Sequence, residues 1–162
     1  MMDLTFQTPR GTFNYRVAAV IVENGRLLVM RDERSPYWFL PGGRVKLGET
    51  AEKAILRELR EELGAECRVV RPLWFCQNFF EEDVSGRNFH ELCVYYLAEA
   101  PTNEWPQEDC FERTEGERRN LFCRMPFEKL KTAYFYPQFL KEQIDRLPQT
   151  PQFLTVIEKE TL

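Results

Sequence analysis

Hydrophobic and polar positions along the chain change period several times, and each change marks an element. Phe13 to Val22 (FNYRVAAVIV) is rich in β-branched and apolar residues and reads as a strand. Arg26 to Met30 (RLLVM) reads as its partner, because the intervening Asn24-Gly25 suits a tight hairpin in which both turn residues take positive φ. A loop, Asp32 to Pro36, and a short segment, Tyr37 to Leu40, lead into Pro41-Gly42-Gly43. From Thr50 to Leu63 the period becomes helical, with Glu52 complementing the dipole of the first turn and Gly64 placed to end the helix. Strand-like runs return at Arg68 to Phe75 and Leu92 to Ala98. Between them, Gln77 to Glu91 reads as strand material broken by a turn near Ser85-Gly86. Pro101 to Gly116 reads as an irregular acidic loop, Asn120 to Arg124 as a strand and Pro126 to Leu130 as a helical turn. Gln138 to Leu147 reads as a second helix and Phe153 to Ile157 as a late strand. Without a βαβ rhythm, this mixture predicts an α+β fold.

The helix over Thr50 to Leu63 is the informative element. At about 100° per residue, Ala51, Ile55, Leu56, Leu59 and Leu63 share one arc, which predicts the core-facing side. Glu58, Glu61 and Glu62 fall on the neighbouring arc, at spacings of three and four residues that bring their side chains to one patch. Like charges so placed destabilise an isolated helix. Either the face is simply solvated, or a cation compensates it, and hard carboxylate oxygens select Mg²⁺ or Mn²⁺. Arg57 cannot neutralise three carboxylates; it is better placed to hold Glu49 or one of the ligands in orientation. The loop ahead of the helix favours a site, since Pro41-Gly42-Gly43 lets the backbone approach a ligand closely.

Composition adds bounds. At 162 residues and 43% hydrophobic content, the chain fits one domain with its own core. No apolar run nears the ~18 residues that span a bilayer, and Met1-Met2-Asp3-Leu4 has no basic or apolar leader character. A cytoplasmic protein without membrane contact is the expectation. A net charge of −4 does not favour nucleic acid as a partner. Cys67, Cys76, Cys93, Cys110 and Cys123 are odd in number and lack C-x-x-C spacing, so reduced and mostly buried thiols are expected.

Gly43 to Ala65 closely resembles the Nudix box, G-x5-E-x7-R-E-U-x-E-E-x-G-U, where U is a bulky aliphatic residue. Gly43, Glu49, Arg57, Glu58, Leu59, Glu61, Glu62 and Gly64 all stand at the family spacing. With about 7% usage per position, the seven single-residue matches would coincide at a given start with a chance on the order of 10⁻⁸. Ala65 departs from the pattern at its final aliphatic position, which touches packing at the helix exit and no chemistry. The resemblance extends more loosely over residues 13 to 147, through Trp38 to Gly43 before the box and Met125 to Leu130 after it. It implies an α/β/α sandwich with a mixed sheet. The whole chain would then be one domain, with residues 148–162 as a C-terminal extension.

The resemblance also implies hydrolysis of a nucleoside diphosphate linked to a further group, as in nucleoside triphosphates, ADP-ribose or nucleotide sugars. A small-molecule nucleotide is thus the expected partner, with a homodimer left open. A pyrophosphate is densely anionic and an acidic helix would repel it, so a divalent cation, Mg²⁺ or Mn²⁺, is expected as cofactor. Glu58 and Glu62 are assigned as principal metal ligands and Glu61 as a third. By similarity to the family, the Gly42 carbonyl completes the set. The catalytic assignments are Glu58, Arg57 and Glu49. The base that deprotonates water is open between Glu58 and a glutamate of the later loop, Glu112, Glu115 or Glu117.

Weaker substrate-binding candidates are Arg16, Trp38, His90 and Glu115. Trp38, Phe39, Trp74, Phe75, Phe79, Phe80 and Phe89 are candidates for stacking on a base, although most aromatics serve the core. A sensor domain that binds a nucleotide without cutting it is the alternative, but such domains usually lose part of the glutamate set, which is intact here.

Overall fold

The computed structural model describes residues 1–101, 103 and 106–158. In chain order the elements are β1 (Thr5–Thr8), β2 (Gly11–Val20), β3 (Val22–Glu23), β4 (Arg26–Asp32), β5 (Gly42–Arg44), α1 (Ala51–Leu63), β6 (Arg68–Glu81), β7 (Asn88–Glu99), β8 (Cys110–Glu115), β9 (Arg118–Pro126), α2 (Phe127–Leu130), α3 (Leu140–Gln143) and β10 (Gln152–Ile157). One mixed sheet runs β1-β2-β7-β6-β10, with β5 paired to β2. A second, antiparallel sheet runs β3-β4-β9-β8. The β2–β7 and β6–β10 pairs are parallel. The fold is α+β, a mixed sheet between helices.

Alternation along β2 explains its nearly continuous apolar run. Val17 and Ala19 face one core, shared with Ala54, Ile55, Leu59 and Leu63 of α1 and with Val94 and Tyr96 of β7. Ala18 and Val20 face a second core, shared with Trp74, Tyr95, Leu130 of α2 and Leu140 of α3. A strand buried on both faces needs apolar residues at odd and even positions alike. On α1, Thr50 caps the first turn by accepting from the Lys53 amide at 3.2 Å, and Gly64 ends the helix at φ 68°. The helix is thereby fixed at both ends as the sequence pattern predicts.

Several boundaries differ from the sequence reading. The run Phe13 to Val22 is split, because the chain leaves the mixed sheet after Val20 and β3 belongs to the second sheet. The expected hairpin therefore joins β3 and β4, with Asn24 at φ 50° and Gly25 at φ 72°. The Pro101 to Gly116 segment is only partly a loop: β8 occupies Cys110–Glu115, while Thr102, Glu104 and Trp105 lie outside the described residues. Along β8, Phe111, Arg113 and Glu115 turn inward while Cys110, Glu112 and Thr114 are exposed, an alternation with a single apolar residue on its inner side.

The second helix contracts from Gln138–Leu147 to the single turn α3. The bonds that enter and leave α3, from Lys141 to Gln138, Glu142 to Phe139 and Arg146 to Gln143, reach back three residues, so the chain on either side turns tightly and does not continue the α-helix. The cysteine expectation is corrected as well, since Cys110 and Cys123 form a disulfide and only Cys67, Cys76 and Cys93 are free thiols. These two residues are direct cross-strand partners in β8 and β9, a neighbourhood set by register and invisible in linear spacing. The C-terminal extension supplies β10, and residues 159–162 lie outside the described ones. Among the described residues, no helix is long and apolar enough to cross a membrane.

Leu59 has no exposed surface and locks α1 to the sheet. Leu59→Ala is expected to lower stability by about 2–5 kcal/mol in urea denaturation, the range for an emptied leucine site. A change below measurement error would mean that α1 is not anchored through this face.

Candidate active site

The site forms where α1 passes β5. Strand β5 pairs with β2 through Ala18 opposite Gly42 and Val17 opposite Gly43. A Cβ on Gly42 would lie 2.1 Å from the Val17 carbonyl oxygen, and one on Gly43 would lie 2.3 Å from the Glu58 carboxyl carbon. At Gly42 the obstacle is backbone, whereas at Gly43 it is the far end of the Glu58 side chain, which would have to move aside. Gly42 lets β5 lie close on β2 and Gly43 lets the Glu58 carboxylate lie against β5, while the Gly42 amide donates to Glu62 Oε2 at 3.0 Å.

Arg57 organises the acidic cluster. Its Nε and Nη2 donate to the two oxygens of Glu49 at 2.8 and 3.0 Å, a bidentate pair. Nη1 donates to Glu58 Oε1 at 2.6 Å and to Glu61 Oε2 at 3.2 Å, and Nη2 also reaches the Arg44 carbonyl at 3.0 Å. The Arg57 hydrogen bond holds the Glu49 carboxyl below its ordinary range, and Glu49 in turn raises Arg57. Glu62 is buried, with 7% of its surface exposed. Burial first, then the neighbouring Glu58 charge, push its carboxyl well above the usual range despite the Gly42 hydrogen bond. Burial also raises Glu58, with Arg57 offsetting part of the effect.

These two carboxylates therefore carry charge that their protein neighbours do not fully compensate, and their hard oxygen donors fit a divalent cation. Among the described residues, no three Asp, Glu, His or Cys side chains already stand in a metal-coordinating cluster; Glu58 and Glu61 instead turn toward Arg57.

Glu58, Glu62, Gly42 and Gly43 line one end of a cavity of about 590 Å³. Arg16 lines it too, half-buried; burial works against its charge, yet Glu91 and its neighbours outweigh this and raise it. Glu115 reaches the cavity from β8 and contributes to the raised carboxyl of Glu62, whereas Glu112 and Glu117 are exposed and do not line it. Of the aromatic candidates, Phe39, Phe79, Phe80 and Phe89 line the cavity, while Trp74 is core and Phe75 packs elsewhere.

Two candidates are misplaced by the sequence reading. Trp38 packs on the second core with the Arg31 guanidinium 4.5 Å from its ring, and its neighbours Tyr37 and Phe39 face the cavity instead. His90 is exposed, stacked on Phe79 at 4.4 Å, and strand alternation sends the adjacent Glu91 inward in its place.

Sequence reasoning missed Asn14, Asn78 and Glu91, and it read Tyr134-Phe135-Tyr136 as either a binding lip or a packing face; the two tyrosines join Tyr37 in a group at the cavity mouth, while Phe135 is core. Tyr134 and Tyr136 both donate to Asp83 Oδ2, the latter at 2.7 Å, and Tyr37 donates to Glu82 Oε1 at 2.8 Å. A polar residue on the second-core side of each apolar strand was the available signal for Asn14 and Asn78, while the tyrosines meet Glu82 and Asp83 only through tertiary folding.

With this geometry in view, comparison with known proteins is direct. The model of the NUDIX domain matches residues 13–147, and the chain belongs to that family. An ADP-ribose pyrophosphatase of Methanocaldococcus jannaschii is 37% identical over 123 residues, covering 74% of this chain and 70% of that protein. The CTP pyrophosphohydrolase of Escherichia coli is 36% identical over 78 residues, 46% of this chain and 55% of that one. The chain spans only 18%, 37% and 30% of the length of curated relatives from Caenorhabditis elegans, Mycobacterium tuberculosis and Bacillus subtilis. Among solved structures, a MutT NUDIX hydrolase from Burkholderia pseudomallei superposes with a TM-score of 0.59 at 25% identity, over 82% of this chain and 98% of that one. The chain is thus a member of the NUDIX family, and the relatives it resembles include proteins named as pyrophosphatases.

The two glycines separate fold from site. Gly42→Ala is expected to lower the melting temperature by breaking the β2–β5 approach. Gly43→Ala should leave folding cooperative but displace Glu58 and reduce hydrolysis at least ~100-fold, the scale of a lost active-site electrostatic element. Thermal melts alongside substrate turnover distinguish them, and full activity in folded Gly43→Ala would show that Glu58 need not sit there.

Proposed function

We propose that this chain is a metal-dependent pyrophosphohydrolase acting on a nucleoside diphosphate linked to another group, with residues 1–162 as one hydrolase domain. The observation that carries the reading is the pair Glu58 and Glu62, drawn against Gly42 and Gly43 at one end of a large cavity. Glu62 is a buried carboxylate facing a second one, an arrangement that costs stability unless a cation joins it. Glu58 and Glu62 are the principal ligands for Mg²⁺ or Mn²⁺, with Glu61 and the Gly42 carbonyl completing the set. When bound, the cation neutralises phosphate charge and acidifies a water.

The chain's own residues do the rest. Glu49 fixes Arg57 through its two oxygens, and Arg57 fixes Glu58, so the carboxylates are oriented before substrate arrives. Arg16 faces the same cavity with a guanidinium available to a phosphate. Of Glu112, Glu115 and Glu117, Glu115 at the end of β8 is the one whose position supports a role as base, taking the proton of the attacking water; Glu58 is the other candidate. ADP-ribose and CTP, for which two relatives are named, are the first substrates to assay.

Chelation is expected to abolish turnover and added Mg²⁺ or Mn²⁺ to restore it. Glu62→Gln should lower turnover at least ~100-fold with the fold retained. Undiminished hydrolysis in excess chelator, or by folded Glu62→Gln, sinks the proposal.

Arg57 tests the orienting role. Arg57→Lys keeps charge but loses the planar fork that holds Glu49 by two bonds. Turnover should fall, while metal affinity weakens by no more than the ~10–100-fold typical of ligand-orienting residues. Metal titration and rate together read the outcome; silence of both Arg57→Lys and Arg57→Ala would reduce Arg57 to a surface residue.

A further inference from the structure

Beyond the carboxylate end, the cavity floor holds a polar row that packing does not require. Asn14 of β2, Glu91 of β7 and Asn78 of β6 are cross-strand partners in register, so their side chains lie side by side. All three are buried, at 3%, 7% and 8% exposure, and all three line the cavity. Burying three polar residues in one row of a sheet, where apolar ones would pack, is costly unless each polar group finds a hydrogen-bond partner.

The hydrogen bonds within the row indicate what it lacks. Asn14 Oδ1 accepts from the Thr5 hydroxyl at 2.7 Å, and Asn78 Oδ1 accepts from the Cys76 thiol at 3.1 Å. Both carboxamide oxygens are thus engaged, which leaves the amide N–H groups of the two asparagines for Glu91, the residue between them whose carboxyl both of them stabilise in its charged form. A carboxylate has about four acceptor positions, so two donors leave part of Glu91 open toward the cavity. Arg16, one rung along β2, acts on Glu91 through its charge without a direct hydrogen bond. What the floor lacks is therefore a hydrogen-bond donor. A phosphate or carbonyl supplies none, and the Glu91 charge repels the former.

Position narrows the donor. The carboxylate end adjoins Gly42, opposite Ala18, and Asn14 lies four residues farther along β2, or ~13 Å at strand rise. A ribose attached directly to phosphate at the carboxylate end does not reach that far, but the base of the same nucleotide does. One rung beyond Glu91, Phe80 and Phe89 stack at 5.2 Å and line the cavity, giving an apolar boundary suited to a planar ring.

We propose that the Asn14–Glu91–Asn78 row is a base-reading subsite, in which the Glu91 carboxylate accepts from an exocyclic amino group and so selects nucleotides of amino-bearing bases. This rests on the hydrolase reading for its nucleotide, but binding can test it where turnover is absent.

Dissociation constants measured by calorimetry with Mg²⁺ present decide it, using substrate pairs that differ only by an amino group replaced with hydrogen. These are GTP against ITP, ATP against purine riboside triphosphate, and CTP against 2-pyrimidinone riboside triphosphate. A Glu62→Gln background suppresses turnover during the titration. At least one pair should favour the amino form ten-fold or more with Glu91 present, and Glu91→Gln should bring that ratio near one. Should Glu91→Gln not fold, Glu91→Asp, which withdraws the carboxylate by one methylene, serves the same comparison. Equal affinities in all three pairs overturn the proposal, as does a preference that survives both Glu91 variants. Loss of discrimination between ribo- and 2′-deoxynucleotides alone would make Glu91 a sugar contact and equally overturn it. Selective binding without turnover by the otherwise unaltered chain would refute the hydrolase reading and leave the subsite standing.

Discussion

The close approach of α1 to β5 is the constraint on which the rest depends. A helix carrying Glu58 and Glu62 must pass a strand with no side chain between them; Gly43 provides that clearance, while Gly42 lets the strand itself lie close on β2. Contact at this distance buries Glu62, brings Glu58 beside it and places both at the head of the cavity. The energetic cost is local and electrostatic. It is met on one side by Arg57, which ties Glu49, Glu58 and Glu61 together, and on the other by the apolar face of α1 in the first core. Helix capping at Thr50 and Gly64 holds the acidic residues in register with the strand while like charges oppose helix formation.

Two cores on opposite faces of the mixed sheet divide the labour. The α1 side supplies rigidity, through Ile55 and Leu59 against Val17 and Ala19. The opposite side begins as core at Val20, Trp74 and Tyr95 and then opens into cavity at Arg16, Asn14 and Glu91. The same strands therefore change from packing to recognition along their length, which puts the cavity floor on the most rigid elements of the fold. Precision at a binding surface is easier to maintain there than on loops.

Much of this was legible in the residues because it is local. The glutamate spacing, the Thr50 and Gly64 caps, the Asn24-Gly25 turn and the glycine pair are short-range patterns, and the placement of Arg57 on Glu49 follows from them. Features that depend on register were not legible. The pairing of Cys110 with Cys123, the inward turn of Glu91 in place of His90 and the cavity position of Phe39 beside Trp38 all follow from which residue faces which across a sheet. A shift of one residue exchanges the faces, and composition carries no trace of the choice. The second helix shrank for another reason: its apolar spacing is real, since Leu140 and Ile144 are buried and joined by a four-residue hydrogen bond, but three-residue bonds before and after that turn keep the helix from extending.

The tyrosine group at the mouth joins three stretches far apart in the chain: Tyr37 before the box, Glu82 and Asp83 at the β6–β7 tip, and Tyr134 with Tyr136 after β9. Two carboxylates serve as the common anchor, so no one of these segments is positioned independently of the others. For a lineage adapting to a new substrate, the entrance would behave as a single inherited unit. Individual changes there would disturb distant neighbours along with the residue replaced, so the entrance constrains sequence in three separate stretches at once.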